Sequence, residues 1–573
     1  MVKTYPLLVK KNPDPVSPPF VVVTVIDTTE GETRAAMAAI EADLGSGARY
    51  GLLIKRGTWT INANVTIPSN VHLIIENGAV LSVATSTTLT INGPFTCPIS
   101  QAFTLTGSGA VVFAAGYIQE YYIEWFGGGA GVSAATNTTA FNNLKTSMTS
   151  GIIRLLGGTY AFNDEISVKD KVRVFGLGKK TTILDFSSAS GSFSNGACIY
   201  GTGSMGSALP SFSTSLALGD NTIDFTSSPS LSVGDTIIIY NSTDSSWNSG
   251  RTYYRSGEFN KVKSMATNTA TLTRPVYDAY ASGGTVSVYK VTPITTSLGN
   301  FSLKVKSGQT GILIKLGELV SVSDIDVWNT DISHITLSQC YKYSVSNINC
   351  VWPSVDVGYN YGVTIGNSQS GVVHNCNLET TRHAITFGGG DFVGCIPNRE
   401  CVVTNNILNV CTTASTVLSA DLHGNCEFIT FYNNQILGGI NLGGDNIQIL
   451  GGTLRQPKDG YLCYTSELRG LNITIMNVVM DYFDATSSSS LGVLDFGGNG
   501  TMGEIKVDSR FVFKDNVIRG NTTLLTNSTL YFYLFTRAAS QQLHVEISGN
   551  KFMTPGLSGS GQNGITVRNA SGN

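Results

Sequence analysis

A chain of 573 residues is far too long for one ordinary compact core, so it must form several domains or a repeating solenoid. Only 13% of the residues are charged, 63 are glycine and 42% are hydrophobic, which excludes wholesale disorder and a long-helix protein and suits stacked β-turns over an apolar interior. A net charge of −3 with no basic run excludes a nucleic-acid surface or an anionic-membrane surface.

Residues 1–24 carry Pro6, Pro13, Pro15, Pro18 and Pro19 and read as an extended arm. The first residues lack the apolar core of a secretory signal, and no apolar run reaches the roughly 18 residues needed to span a bilayer. The expectation is a soluble protein made in a cytosol, with no membrane insertion. Residues 25–120 form a first β-helical unit, opened by a helix expected over 33–44. Its signature is Arg56-Gly57-Thr58-Trp59 followed by Val65, Ile67, Val71 and Leu73. The pattern returns 101 residues later as Gly158-Thr159-Tyr160, Ile166, Val168, Val172 and Val174, again after an expected helix, over 137–148. A helix ahead of short strands covers the open end of a solenoid, which otherwise exposes core and unpaired backbone. Residues 121–209 are therefore the start of a main β-helix. Residues 210–292 break the pattern with closely spaced turns and alternation, as in Val233-Gly234-Asp235-Thr236-Ile237-Ile238-Ile239-Tyr240, and read as an inserted antiparallel β subdomain.

From 293 to 555 a short motif recurs: an apolar strand, a small polar pair, another apolar strand. Copies include Val322-Ser323-Asp324-Ile325, Val345-Ser346-Asn347-Ile348, Val373-His374-Asn375-Cys376, Val403-Thr404-Asn405-Asn406 and Phe431-Tyr432-Asn433-Asn434. They continue through Gly451, Asn477, Asp515 and Gly549, with steps of 18 to 38 residues. Asn and Gly tolerate left-handed backbone angles, so they suit the corner of a coil, and stacked Asn side chains can hydrogen-bond from coil to coil. The fold expected is all-β: a right-handed parallel β-helix with short capping helices and the antiparallel insert, ending in a tail over 556–573. The ten cysteines show no metal-binding spacing and read as buried thiols, several (Cys350, Cys376, Cys401, Cys426) beside strands.

Glu124-Trp125-Phe126-Gly127, the helix after it, Gly158-Thr159-Tyr160 and Val174-Phe175-Gly176-Leu177-Gly178 together resemble the pectate-lyase-like β-helix of bacteriophage tailspikes and tail-associated depolymerases. The insert with Gly257-Glu258 and the pairs Arg382-His383 and Asp421-Leu422-His423 add to that resemblance, which spans about residues 50–555. The loop after Trp-Phe-Gly, Gly128-Gly129-Ala130-Gly131-Val132-Ser133, lacks the acids usual there. The resemblance implies a homotrimer on the virion tail, attached to other tail proteins through the N-terminal arm. It implies binding and cleavage of a bacterial surface polysaccharide (capsule or lipopolysaccharide O-antigen) during adsorption, without a cofactor. Synthesis in the host cytoplasm and release by lysis fit the missing export signal.

Aligning coils on the Asn motif sets 359–363, 382–386 and 419–423 side by side, about 4.8 Å apart. The excursion over 411–417 could wall a groove. Glycoside hydrolysis needs two carboxylates, one protonated and one ionised, about 5–10 Å apart. Asp421 is placed first, with His423 on the same side of its strand. Glu379 is second, and Asp356 third. Arg382, His383, His423, Tyr359, Tyr361, Asp391 and Trp352 are the expected substrate-binding groups, and Glu258, near Trp247, Tyr253 and Tyr254, is a secondary candidate. The alternative is that Arg382, His383, Asp421 and His423 only close a polar corner of the coil. Six acids against two arginines over 352–440 leave a local charge of −4, which disfavours β-elimination on a polyuronate relative to hydrolysis. A non-enzymatic adhesin and a purely structural tail component are the rivals.

Overall fold

A computed structural model describes residues 50–114, 116–245, 251–328, 330–351, 360–411, 417–455, 462–468, 472–482, 509–520 and 543–553, with further strands at Lys10–Lys11, Val21–Val25, Leu494–Phe496, Leu530–Leu534 and Ile565–Asn569. The helix expected over 33–44, most of the N-terminal arm, Trp247, Trp352, Asp356, Tyr359 and residues 412–416 of the excursion lie outside the described residues. The chain divides into two compact units, 1–194 with 296–302, and 195–295 with 303–573.

The first unit is built of three-sided coils. Tyr50–Ile54 pairs in parallel with Val71–Ile75, Gly57–Ile61 with Ala79–Val83, and Val65–Ile67 with Thr88–Ile91. Val21–Val25, expected as the end of the arm, is instead a parallel neighbour of Tyr50–Ile54. The 101-residue repeat is a repeat of strands: Val65–Ile67 answers to Ile166–Val168, and Val71–Ile75 to Val172–Phe175. Gly57 and Gly158 open equivalent strands at φ +139° and +121°, angles that a side chain resists. The second expected helix is Ala134–Ser147, capped by Ser133 Oγ, which accepts the Thr136 N–H at 3.2 Å. It buries Ala140, Phe141 and Leu144, so its apolar stripe covers core. It is the one α-helix among the described residues.

In the second unit the insert is a six-stranded sheet of antiparallel pairs. Its first strand, Ser204–Ala208, lies in the stretch assigned from sequence to the coils. The strand Thr236–Asn241 has two apolar faces. Ile237 and Ile239 enter the insert's own core with Phe225, Val262 and Val288, whereas Ile238 and Tyr240 pack on Tyr341, Cys395 and Ile396 of the coils. An insert buried on both faces of its central strand is fixed to the helix it interrupts.

The coils of this unit present three parallel faces. One contains Thr310–Lys315, Ser333–Ser338, Tyr361–Gly366, Ile385–Gly388 and Ala420–Leu422 in register. The second and third meet at the expected corner. Asp324, Asn347, Asn375, Asn405, Asn433, Gly451, Asn477, Asp515 and Gly549 all stand there at φ between +52° and +68°. Where the residue that follows is Asn, as at 406, 434, 516 and 550, its side chain turns inward and completes the hydrogen bonding that a bent strand cannot. Asn434 Oδ1 accepts the Asn406 N–H at 3.0 Å while its Nδ2 donates to Val403 O at 2.8 Å, and Asn406 does the same for Cys376 N and Val373 O. Inward columns such as Val345, Val373, Val403, Phe431 and Ile449 stack one residue per coil, each contributing about 1.5–3 kcal/mol by burial. Ile565–Asn569, expected as tail, still pairs in parallel with Leu530–Leu534. All ten cysteines are unpaired and eight are buried, Cys350, Cys376, Cys401 and Cys426 among them. No helix among the described residues is long and apolar enough to cross a membrane.

Candidate functional site

Register places the expected segments side by side: Val363 pairs with Ile385, and Ile385 with Ala420. On this first face Ile385, Phe387, Ala420 and Leu422 are fully buried, and the alternate positions form an outward column of Thr364, Thr386, Asp421 and Asn441. Asp421 is the column's only carboxylate among these four. Its Oδ2 lies 3.0 Å from His423 Nε2 and 3.5 Å from His383 Nε2, and its Oδ1 accepts from Asn441 Nδ2 at 2.7 Å. Burial acts to raise the Asp421 pKa, but the His423 hydrogen bond and charge, the His383 charge and the Asn441 amide outweigh it. The carboxyl is held well below the usual range and is ionised.

The two imidazoles differ in role. His383 Nδ1 lies 2.6 Å from Leu418 O, a carbonyl that can only accept, so the ring carries its proton there. Burial holds the His383 pKa below its ordinary value, against the charge of Asp421, and its Nε2 faces Asp421 across the longer gap. His423, the more exposed of the two at 20% of its side chain, donates Nε2–H to Asp421, which leaves Nδ1 as its basic atom. Tyr361 lies against the His383 ring at 5.6 Å between centroids, and the Arg382 guanidinium sits 5.4 Å from the centre of the Tyr361 ring. Together these groups offer a fixed anion, a base, an aromatic surface and a cation.

Other expected site residues fall elsewhere. Glu379 lies on the third face, paired with Asn409, and does not share the exterior sheet of Asp421. Counting coils could not show this, because three corners intervene per turn. Asp391 is exposed in the loop before Cys395 and lies 3.6 Å from Arg255 of the insert. Glu258 is completely buried: its Oε1 accepts the Tyr277 N–H and the Tyr280 hydroxyl, each at 2.9 Å, and Oε2 has no hydrogen-bond partner. No sugar can stack there. Burial, against the opposing charge of Arg399, pushes the Glu258 carboxyl up to about 7. From about pH 4.5 to 7 the folded state holds this proton while the unfolded chain has lost it, so stability falls as pH rises through that window, by about 3 kcal/mol. Glu258→Gln, with an amide oxygen for the same two donors, is expected to flatten the melting temperature over pH 5–8, read by a thermal-shift pH series.

The sequence reading missed Asn441 and Glu467. Glu467, on Cys463–Leu468 one coil further along the first face, accepts the Gly424 N–H at 2.9 Å, the residue after His423. It also pairs with Arg251 Nε at 2.6 Å and accepts the Tyr254 hydroxyl, both from the insert. Extending the coil alignment by two strands would have found both residues; the Tyr-rich run near Glu258 was the only signal for the insert's part.

Residues 330–555 match the family described as "Gp49, pectin lyase-like", and residues 200–291 match the "Tailspike protein-like, Ig-like domain". The tailspike gp49 of Pseudomonas phage LKA1 is 26% identical over 76% of this chain and 72% of that one, with a TM-score of 0.66. Two more share the fold: gp61 of Pseudomonas phage phi297, 22% identical over 76% and 73% (TM-score 0.61), and gp54 of Acinetobacter baumannii bacteriophage AP22, 18% identical over 75% and 70% (TM-score 0.59), solved with A. baumannii capsular saccharide. No curated protein sequence matches the chain.

Proposed function

We propose, on the premise of a chain similar to phage tailspikes in both its coils and its Ig-like insert, that it binds a bacterial surface polysaccharide on the face around Asp421 and cleaves it within the chain. As a tailspike it assembles as a homotrimer and attaches to the virion tail by its N-terminal segment. The observation that carries the cleavage reading is the ionised, nearly buried Asp421 between two imidazoles, with Arg382 stacked beside them on Tyr361.

That arrangement suits proton abstraction. Asp421 fixes the His423 tautomer, His423 Nδ1 removes the proton next to a uronate carboxylate, and Arg382 offsets the charge that develops there. The pair left by that proton forms the C=C bond as the glycosidic C–O bond breaks on the adjacent carbon; the C–O pair leaves with the oxygen, which takes a proton from solvent, and the sugar keeps an unsaturated end. Hydrolysis in its usual form requires a protonated carboxyl, which Asp421 does not supply, and Glu379 is on another face. The sequence-window charge of −4 is no obstacle, because the insert brings Arg255 to Asp391, and Glu400 and Glu427 lie off the first face, away from Asp421 and each paired with an arginine.

Incubation with purified capsule or O-antigen separates the readings. Ultraviolet-absorbing unsaturated ends support elimination, new saturated reducing ends support hydrolysis, and saturable binding with no shortening of the polymer leaves an adhesin.

A further inference from the structure

Glu467 is a carboxylate with three anchors on two sides of the proposed site. Toward the coil it accepts the backbone N–H of Gly424, next to His423; toward the insert it holds Arg251 and the Tyr254 hydroxyl. Its side chain is only 9% exposed, and Arg251 is braced in turn by the Tyr253 hydroxyl at 3.1 Å from Nη1. Asp421 meets His423 at the start of the turn 423–425 and Glu467 holds Gly424 within it, so both carboxylates flank the same short turn. That turn is the segment that aims His423 at Asp421.

We infer that Glu467 is a positioning residue: it couples the inserted domain to the 423–425 turn and so holds the His423 ring against Asp421. The inference rests on the proposed site at Asp421. The insert is thereby an arm of the site, not an appendage, because its Arg251 and Tyr254 hold the carboxylate in place. Ion pairing and hydrogen bonding of a nearly buried carboxylate restrict it to one rotamer, and a group so restricted transmits its position to what it binds.

The test compares Glu467→Ala, Glu467→Gln and Arg274→Ala in the full chain. Gln keeps an oxygen for Gly424 and Tyr254; Ala keeps none; Arg274→Ala loosens the same insert at its Glu400 ion pair, away from the turn. Glu467→Ala is expected to lower kcat about tenfold with KM little changed, Gln to restore most of that loss, and Arg274→Ala to leave both constants unchanged. With only six histidines in the chain, the His423 ring resonance can be assigned by its disappearance in His423→Gln. It should move in Glu467→Ala and stay in place in the other two variants. An unmoved His423 resonance in Glu467→Ala, or an equal kcat loss in Arg274→Ala, overturns the inference. If the wild-type protein cleaves no polysaccharide, the cleavage reading fails by itself, and the His423 resonance still decides whether Glu467 positions the ring.

Discussion

Asp421→Asn is expected to lower the rate of polymer cleavage about a thousandfold while leaving the fold intact. The carboxylate accepts from His423 on one oxygen and from Asn441 on the other. An asparagine keeps one acceptor for His423 and turns an N–H toward Asn441, whose own amide can flip to receive it, so the cross-strand contact survives at a cost of about 1 kcal/mol. What is lost is the negative charge that stabilises an imidazolium and fixes which nitrogen carries the proton. Initial rates on purified polysaccharide and a thermal melt on the same preparation check both halves. Retained activity would remove Asp421 from the chemistry. The sign with pH follows from the depressed pKa. The stabilisation from ionised Asp421 is complete above the unfolded carboxyl value, near 3.9, and is lost as pH falls toward the lower folded value; the asparagine variant lacks that part of the acid transition.

Arg399→Ala is expected to cost about 3–5 kcal/mol, the largest single loss of stability we foresee. The guanidinium is 1% exposed, bonds Glu427 Oε2 at 3.0 and 2.6 Å from two of its nitrogens, reaches Asp278 of the insert at 3.0 Å, and lies 4.6 Å from the centre of the Tyr277 ring. Its removal leaves Glu427 buried at 4% exposure without its cation and removes one of the ties between insert and coil, that to Asp278. Arg274→Ala breaks a pair whose side chains are 27% and 29% exposed and should cost under about 1 kcal/mol. Chemical denaturation of the two variants in parallel measures the contrast, and limited proteolysis should show the insert of Arg399→Ala cut first. Equal losses would mean that the buried cation holds nothing that the half-buried one does not.

Much of the architecture was legible because a β-solenoid writes its period into the chain. Each coil must turn the same corner, and only a residue tolerant of positive φ does so cheaply; hence Asp324, Asn347, Asn375, Asn405 and Asn433 stand where the motif placed them. The neighbourhood of Arg382, His383, Asp421 and His423 was legible for the same reason, since register follows from the corner. Glu379 shows the boundary of that logic. Its coil was evident, but which of three faces it occupied depended on strand lengths between corners, and no residue type marks those.

The amino-acid sequence by itself determined the repeating coil, its asparagine corners, the entry helix at Ala134–Ser147 and the antiparallel character of the insert, because each depends on neighbours a few residues apart. Tertiary structure alone decided which charges of the insert meet which acids of the coils. Arg251, Arg255 and Arg274 lie more than a hundred residues before Glu467, Asp391 and Glu400, and only the folding of the insert onto the coils neutralises those acids. Electrostatic pairing is a matter of distance in space, about which composition over a window of chain carries no information.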